Sequence, residues 1–283
     1  YGQYEAVVNE IIQAVRERRD EAVLEYTEKF DKWDCSRENL RVTEGEIKEA
    51  YSQIDDEFIA CMKKRAENIT AFHTKQLHNS WFDPKPDGTI LGMKILPIEK
   101  AGVYVPGGKA AYPSSVLMNV LPAKVAGVKK IVMTTPAGAD GKVNPGTLVA
   151  ADIAGVDEIY KVGGAQAIAA LAFGTETIPK VDKITGPGNI FVALAKKACF
   201  GYVSIDSIAG PSEILVIADE TADPKFAAAD LMSQAEHDVL ASSIMVTTSE
   251  KLADETIAEI NRQKEYLSRK EIIEKSLEDY GAI

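Results

Sequence analysis

The chain has 283 residues, of which 46% are hydrophobic and 27% are charged, so it can bury a substantial core as one large or two medium domains. Acidic residues outnumber basic ones by 43 to 32 and give a net charge of −11, which argues against nucleic acid and anionic membrane surfaces as partners. No apolar run approaches the length of a membrane span, and 3 widely spaced cysteines favour a reducing, cytoplasmic setting over a disulfide framework.

The N-terminal part of the chain predicts helices. Apolar residues from Val7 to Val15 recur at helical spacing on one face. Farther on, Thr43 and Glu46 have the spacing of a capping box, which predicts the start of another helix. The stretch from Asn79 to Gly88 holds two prolines and an Asp-Gly pair, so it predicts a loop or the tip of a hairpin.

From about Met93 onward, short β-rich runs alternate with Ala-rich helical runs. This alternation predicts an α/β fold of parallel βαβ units, with helices on both faces of the sheet. The predicted strands are Gly102–Val105, Lys130–Thr134, Glu158–Val162, Asp182–Thr185, Val203–Ile208, Ile214–Ala218 and Ile244–Thr247. The predicted helices are Ser115–Ala126, Thr147–Ala154, Ala165–Phe173, Ile190–Phe200, Pro224–Glu236, Lys251–Glu265 and Ser268–Asp279. The same alternation calls for one more strand at Gly281–Ile283.

Three Gly-rich turns follow predicted strands. They are Pro106-Gly107-Gly108, Gly163-Gly164 and Gly186-Pro187-Gly188-Asn189. Ligands of open α/β sheets bind at the carboxyl ends of strands, so three such turns together favour a cleft over three plain tight connections. The segment from Gly186 to Phe191 fails the G-x-G-x-x-G pattern at its last position, so a dinucleotide site here would not use the common Rossmann signature.

Gln234 and His237 lie three residues apart on a predicted helix, near its C-terminal end, so their side chains are expected on the same side. A carboxamide oxygen and an imidazole could hold a metal, but a zinc site normally needs three or four ligands. The other histidines of the chain are His73 and His78, which lie in a different part of the pattern. The pair is therefore either a helix end with a surface imidazole or one part of a metal site.

Two further positions could take part in chemistry. Ser212 lies in the run from Ala209 to Glu213, between two predicted strands, where its hydroxyl could bond a substrate. Cys199 lies at the end of a predicted helix and could act as an aldehyde-oxidising thiol, although a buried structural cysteine is far more common.

Taken together, several of these segments resemble the histidinol dehydrogenase family. The matching segments are Gly102–Gly108, Val162–Glu176, Gly186–Asn189, Ala209–Glu213 and Ser233–His237, in the family's order and approximate spacing. The likeness spans nearly the whole chain, and a match as long as Val162–Glu176 is hard to obtain by chance.

The resemblance implies a function. Members of that family oxidise L-histidinol to L-histidine through the aldehyde, with two successive hydride transfers to NAD, in the last steps of histidine biosynthesis. Three residues match positions that contact NAD: Tyr104, Gln166 and Asn189. Three match positions that contact the substrate: Ser212, Gln234 and His237. Gln234 and His237 also match two ligands of a zinc ion that orients the substrate, so NAD and zinc are the expected cofactors.

The family's chain continues beyond the equivalent of Ile283. By the resemblance, that continuation carries a Glu-His pair for acid–base chemistry and two more zinc ligands, an Asp and a His, the latter from a partner subunit. No catalytic residue is therefore expected within these 283 residues, and the chain alone is expected to be inactive, with weak or no zinc binding. The complete protein is expected to be a homodimer, intertwined partly through its C-terminal tail.

The resemblance also implies a domain arrangement. Two incomplete Rossmann-like, aldehyde-dehydrogenase-like domains with mostly parallel sheets would lie side by side, with an N-terminal helical segment. Residues 104–212 would form the inserted, NAD-associated domain. Residues 1–103 and 213–283 would together form the discontinuous substrate and zinc domain.

Two other functions remain open. A short, non-catalytic paralogue that binds a nucleotide or an imidazole compound would share the Gly-rich cleft and would need no downstream catalytic groups. A zinc-free aldehyde dehydrogenase would instead depend on the Cys199 thiol.

Overall fold

A computed structural model describes residues 2–107, 112–210 and 212–283. Contacts divide the chain into two compact units, one up to Ala209 and one from Gly210. The helices are α1 (Gly2–Arg18), α2 (Asp20–Asp31), α3 (Glu44–Ser52), α4 (Asp56–Thr74), α5 (Pro113–Val125), α6 (Pro145–Ala154), α7 (Gly164–Phe173), α8 (Ile190–Cys199), α9 (Pro224–Ala235), α10 (Glu250–Gln263) and α11 (Lys270–Tyr280). The strands are β1 (Trp81–Pro84), β2 (Ile90–Met93), β3 (Lys100–Tyr104), β4 (Lys130–Thr134), β5 (Glu158–Tyr160), β6 (Lys183–Thr185), β7 (Ser204–Ile205), β8 (Glu213–Ala218), β9 (Ser242–Thr247) and β10 (Gly281–Ala282).

The larger unit is built on a parallel sheet, in which the described residues form five strands in the order β5-β4-β3-β6-β7. The central strand β3 is apolar and buried at Ala101, Val103 and Tyr104, as expected where helices cover both faces. Helices α1, α2, α7 and α8 pack together as one group, and α3 to α6 pack as another. The predicted architecture of parallel βαβ units is confirmed.

Most of the predicted helices and strands begin and end within two residues of their predicted bounds. The predicted capping box is confirmed, because the Glu46 N–H donates to Thr43 Oγ1 at 3.2 Å and the Thr43 N–H donates to Glu46 Oε2 at 2.8 Å. Of the two alternatives for Asn79–Gly88 the structure shows a hairpin, but its first strand β1 lies inside that range and its tip lies between Lys85 and Thr89. The side chains are exposed along both strands.

The predicted strand Val203–Ile208 is too long, because β7 covers Ser204–Ile205. Asp206 follows directly, and its carboxylate accepts hydrogen bonds from the backbone N–H groups of Gly186 at 2.9 Å and Ser207 at 2.7 Å. These bonds turn the backbone after Asp206 away from the sheet. The strand is therefore shorter than its sequence pattern predicts.

The smaller unit contains a parallel sheet whose described strands lie in the order β10-β9-β8. Helices α9, α10 and α11 pack against this sheet and one another. Apolar residues are exposed in register on the sheet, with Leu215 beside Ile244 and Ile217 beside Val246, so the helices of this unit leave that face open. The additional strand expected at the last residues is present as β10.

The division between the units lies close to the predicted domain boundary at 212/213. Helices α1 to α4 pack within the larger unit. The predicted grouping of residues 1–103 with 213–283 concerns the relation between the two units and stays a prediction. Within the described ranges, no helix combines the length and apolar content needed to cross a bilayer.

A close backbone approach joins the ends of β3 and β6. Gly186 follows β6 with a φ of +119°, and a side chain there would collide with the carbonyl oxygen of Tyr104 at the end of β3. The buried Lys196 pairs with Asp206 and donates from Nζ to the Gly186 carbonyl oxygen at 3.0 Å. Because Asp206 also accepts from the Gly186 N–H, both backbone polar groups of this glycine are held.

We expect Gly186→Ala to lower the free energy of unfolding more than Gly201→Ala does. Both glycines have a positive φ, +119° and +99°, but nothing lies within 4 Å of a new methyl group at Gly201. The shared backbone strain costs about 1–3 kcal/mol, and the collision with Tyr104 adds to it at Gly186. Chemical denaturation of both variants measures the difference, and equal losses would contradict the close approach.

Candidate functional site

The larger unit has its topological switch point between β3 and β6. The chain adds β4 and β5 on one side of β3, and then β6 and β7 on the other side. The carboxyl ends of strands at such a point form the usual ligand crevice of an open α/β sheet. Tyr104 ends β3 and the turn from Gly186 to Asn189 follows β6, so two of the predicted NAD contacts lie here. Gly108, in the turn after β3, lies outside the described residues.

Tyr104 connects this edge to the start of α7. Its side chain is buried, and its hydroxyl oxygen accepts a hydrogen bond from the Gly164 N–H at 3.1 Å. Burial raises the pKa of Tyr104 to about 12, and the bond from Gly164 opposes that rise in part. The hydroxyl therefore stays protonated at neutral pH and keeps its own proton to donate.

Gln166 carries the clearest sign of a missing partner. It lies in the first turn of α7, is only 1% exposed, and neither Oε1 nor Nε2 has a hydrogen-bond partner among the described residues. Thr134, the register neighbour of Tyr104 at the end of β4, also has a buried hydroxyl without a partner there. Unpartnered buried groups cost about 1–3 kcal/mol each, so a water molecule or a ligand normally satisfies them.

Asn189 caps α8, as the sequence predicts. Its Oδ1 accepts hydrogen bonds from the N–H groups of Phe191 at 3.1 Å and Val192 at 3.2 Å. The cap uses the carboxamide oxygen, and the exposed amide nitrogen donates to no atom of the described residues. An amide donor at the positive end of a helix dipole suits an anion such as a pyrophosphate.

Asp31 lies beside this site, and sequence reasoning missed it. It is the last residue of α2, is half-buried, and its buried Oδ2 has no hydrogen-bond partner among the residues described. Burial raises the pKa of Asp31 to about 6, and a hydrogen bond from the Gly163 backbone opposes the rise. Its negative charge in turn raises the pKa of Tyr104. The one available signal was an acidic residue directly after the helical apolar spacing of Val23, Tyr26 and Phe30, where a helix dipole would disfavour it.

In the smaller unit, Ser212, Gln234 and His237 lie at the amino edge of the sheet. The carbonyl oxygen of Ser212, just before β8, accepts a hydrogen bond at 3.1 Å from the Ser242 N–H at the start of β9. Gln234 lies in the last turn of α9, whose carboxyl end meets the amino ends of the parallel strands that it connects. The structure therefore brings these three positions to one edge, although they are far apart in sequence.

His237 lies in the turn after α9 rather than on the helix. The helix ends at Ala235, and the His237 N–H donates to the Gln234 carbonyl oxygen at 3.1 Å. Asp238 then turns the chain towards β9, because its Oδ1 accepts from the Leu240 N–H at 2.9 Å. The imidazole is exposed at this edge.

The donor types of this pair suit zinc, but the pair is incomplete. Gln234 Nε2 is buried and has no hydrogen-bond partner in the described part of the chain, so its amide can turn its oxygen towards a ligand. In the same part of the chain, no three His, Cys, Asp or Glu side chains are grouped closely enough to hold a metal. Two ligands do not make a zinc site by themselves.

Cys199 does not have the surroundings of a nucleophile. Its thiol is fully buried, and that burial raises its pKa to about 12. A catalytic cysteine needs a depressed pKa and access to the substrate. The structure therefore argues against an aldehyde dehydrogenase that depends on this residue.

We expect Asp31→Asn to raise the melting temperature at pH 7.5 and to lose that advantage below about pH 4. The folded-state pKa of about 6 lies above the ordinary 3.8, so the fold disfavours the ionised form. The wild type therefore loses stability as the pH rises between these values, and the penalty is complete above about pH 6. A gain of roughly 2–4 °C at pH 7.5 is expected. Thermal unfolding across this pH range measures it, and a constant difference between the two proteins would refute the raised pKa.

Comparison with known proteins places the chain in a family. The family model described as histidinol dehydrogenase matches residues 1–283. Histidinol dehydrogenase of Clostridium acetobutylicum is 63% identical over 96% of this chain, which corresponds to 63% of that protein. The crystal structure of histidinol dehydrogenase from Elizabethkingia anophelis is 42% identical with a TM-score of 0.92, and the match covers 98% of this chain and 64% of that one.

A salicylaldehyde dehydrogenase from Pseudomonas putida G7, 17% identical with a TM-score of 0.52, shares the fold, in agreement with the expected aldehyde-dehydrogenase-like architecture. The chain spans slightly less than two thirds of the histidinol dehydrogenases that it matches, at 63% and 64% of their lengths. With a family model that covers it from end to end and relatives of this identity, the chain belongs to the histidinol dehydrogenase family.

Proposed function

We propose that this chain supplies the NAD site and part of the substrate and zinc site of an enzyme that oxidises L-histidinol to L-histidine. The alcohol would pass through the aldehyde, with one hydride going to NAD in each of two steps. Family membership supports the reaction. The main support for the NAD site is the side-chain amide of Gln166, which is buried near the switch point and has no hydrogen-bond partner among the described residues.

The residues at the switch point suit NAD, which when bound would accept the hydride. Asn189 and the start of α8 would bind the pyrophosphate, because they combine an amide donor with the positive end of a helix. Gln166 would exchange hydrogen bonds with an uncharged polar group, since its amide can both donate and accept. Tyr104 would add a protonated hydroxyl, which burial keeps from ionising.

Ser212, Gln234 and His237 would bind the substrate, and the last two would also be zinc ligands. The carboxyl end of α9 carries a partial negative charge, which favours a zinc ion or the ammonium group of L-histidinol. His237 must be neutral to bind the metal, so zinc affinity should fall on acidification. Further ligands and the acid–base groups would come from outside the described residues.

The setting proposed for the enzyme is the cytoplasm, and its complete form a homodimer. All 3 cysteines are free, which suits a reducing compartment. The β1–β2 hairpin exposes Trp81, Phe82, Ile90 and Leu91, and an exposed apolar patch of this kind commonly marks a protein interface.

A chimera tests the proposed reaction. We expect these 283 residues, put in place of the matching segment of the Clostridium acetobutylicum relative, to give a protein that reduces NAD with L-histidinol. The 283-residue chain by itself should give no turnover, because its zinc pair is incomplete. In the chimera, His237→Ala should remove both bound zinc and activity. Turnover by the chain alone at the rate of the chimera would show that the catalytic groups have been misplaced.

We expect Gln166→Leu to weaken NAD binding about tenfold or more without lowering the melting temperature. The change removes two polar atoms that lack partners in the described structure, so stability should hold while hydrogen bonds to the ligand are lost. Gln53→Leu, at the exposed end of α3, is the matched control. Calorimetric titration with NAD measures the affinity, and an unchanged value for Gln166→Leu would refute the placement of the site.

A non-catalytic paralogue that binds a nucleotide is the second candidate. One observation favours it: the residues proposed to bind NAD all belong to the larger unit, whereas the proposed zinc pair lacks further ligands among the described residues. An inactive chimera that still binds NAD would select this candidate over the dehydrogenase.

A further inference from the structure

Asp31 occupies an unfavourable place for a carboxylate. It is the last residue of α2, where the helix dipole is negative, and the next residue, Lys32, has a left-handed backbone with a φ of +58°. Its Oδ2 is buried and has no hydrogen-bond partner among the described residues. Unfavourable charges of this kind cluster at functional sites.

The neighbours of Asp31 are those of the switch-point site. A Cβ built on Gly163 would lie 3.3 Å from Asp31 Oδ2 and 2.7 Å from Pro136 Cβ, so the carboxylate adjoins a backbone position that admits no side chain. A Cβ on the next residue, Gly164, would lie 2.8 Å from Gln166 Oε1. The two unpartnered side chains therefore border the same Gly-Gly turn at the start of α7.

We propose that Asp31 is a further binding residue of the dinucleotide site and accepts a hydrogen bond from a ribose hydroxyl. The inference rests on the proposed NAD site. A carboxylate repels the pyrophosphate, whereas a ribose diol offers two uncharged donors, and acidic side chains bind ribose in this way in other dinucleotide sites. The amide of Gln166 can both donate and accept hydrogen bonds, and it would bind the same part of the ligand.

A purely structural role for Asp31 predicts something different. The Gly163 backbone lies close to the carboxylate and lowers the pKa of Asp31, and an asparagine oxygen could interact with that backbone equally well. If Asp31 were only a structural acceptor, Asp31→Asn would leave the affinity for the ligand unchanged. A ligand-binding carboxylate would lose affinity, because a bond from a charged acceptor is stronger than one from a neutral amide.

The test compares the 283-residue wild type with Asp31→Asn, Asp31→Ser and the exposed control Asp34→Asn. Each protein is titrated calorimetrically with NAD and with ADP-ribose, which keeps both riboses but lacks nicotinamide. We expect Asp31→Asn and Asp31→Ser to bind both ligands about tenfold more weakly or worse, while the control binds like wild type. Thermal unfolding checks that each variant is folded, and Asp31→Ser repeats the test with a second uncharged side chain.

The other outcomes overturn the proposal in distinguishable ways. Wild-type affinity in Asp31→Asn, together with a loss in Gln166→Leu, would overturn the role of Asp31 and leave the NAD site standing. A loss confined to NAD would overturn the ribose assignment in favour of the nicotinamide carboxamide. If the wild type binds neither ligand, the proposed NAD site fails and the role of Asp31 fails with it.

Discussion

The backbone approach between Tyr104 and Gly186 is the constraint on which the larger unit depends. Pairing of β3 with β6 places the Tyr104 carbonyl oxygen where a Gly186 side chain would have to be. Lys196 and Asp206 then hold the Gly186 carbonyl and N–H groups, and a buried lysine is tolerable because it is paired in this way. These contacts fix the turn after β6. They thereby also fix the start of α8, at the edge of the sheet where β3 ends.

Polar groups without partners accumulate around this fixed frame. A protein optimised for stability alone would pair or replace the amide of Gln166 and the carboxylate of Asp31, since each unsatisfied buried group carries a cost. The apolar packing of α7, which is buried along nearly its whole length, supplies the stability that tolerates them. Such a trade of stability for binding is common at functional sites.

The sequence was sufficient where local patterns decide the structure. Alternation of apolar strands with Ala-rich helices placed β4 and α6, and the caps at Thr43 and Asn189 follow from residue type and spacing. Tertiary contacts decided the rest. β7 is shorter than its apolar run because Asp206 turns to Gly186, and Asp31 matters because packing buries it beside Gly163, which no periodicity encodes.

The zinc site proposed at Gln234 and His237 would have to compensate the positive charge of the ion. An amide oxygen from Gln234 and a neutral imidazole from His237 add no negative charge, so a zinc ion bound by them would keep its full double charge. The carboxyl end of α9 would offset about half an elementary charge, which leaves most of the charge of the ion uncompensated. An anionic side chain among the remaining ligands would reduce this charge, and a carboxylate fits the oxygen and nitrogen character of the pair better than a thiolate. A zinc site of the proposed kind would therefore depend, for its charge balance and much of its affinity, on groups other than Gln234 and His237.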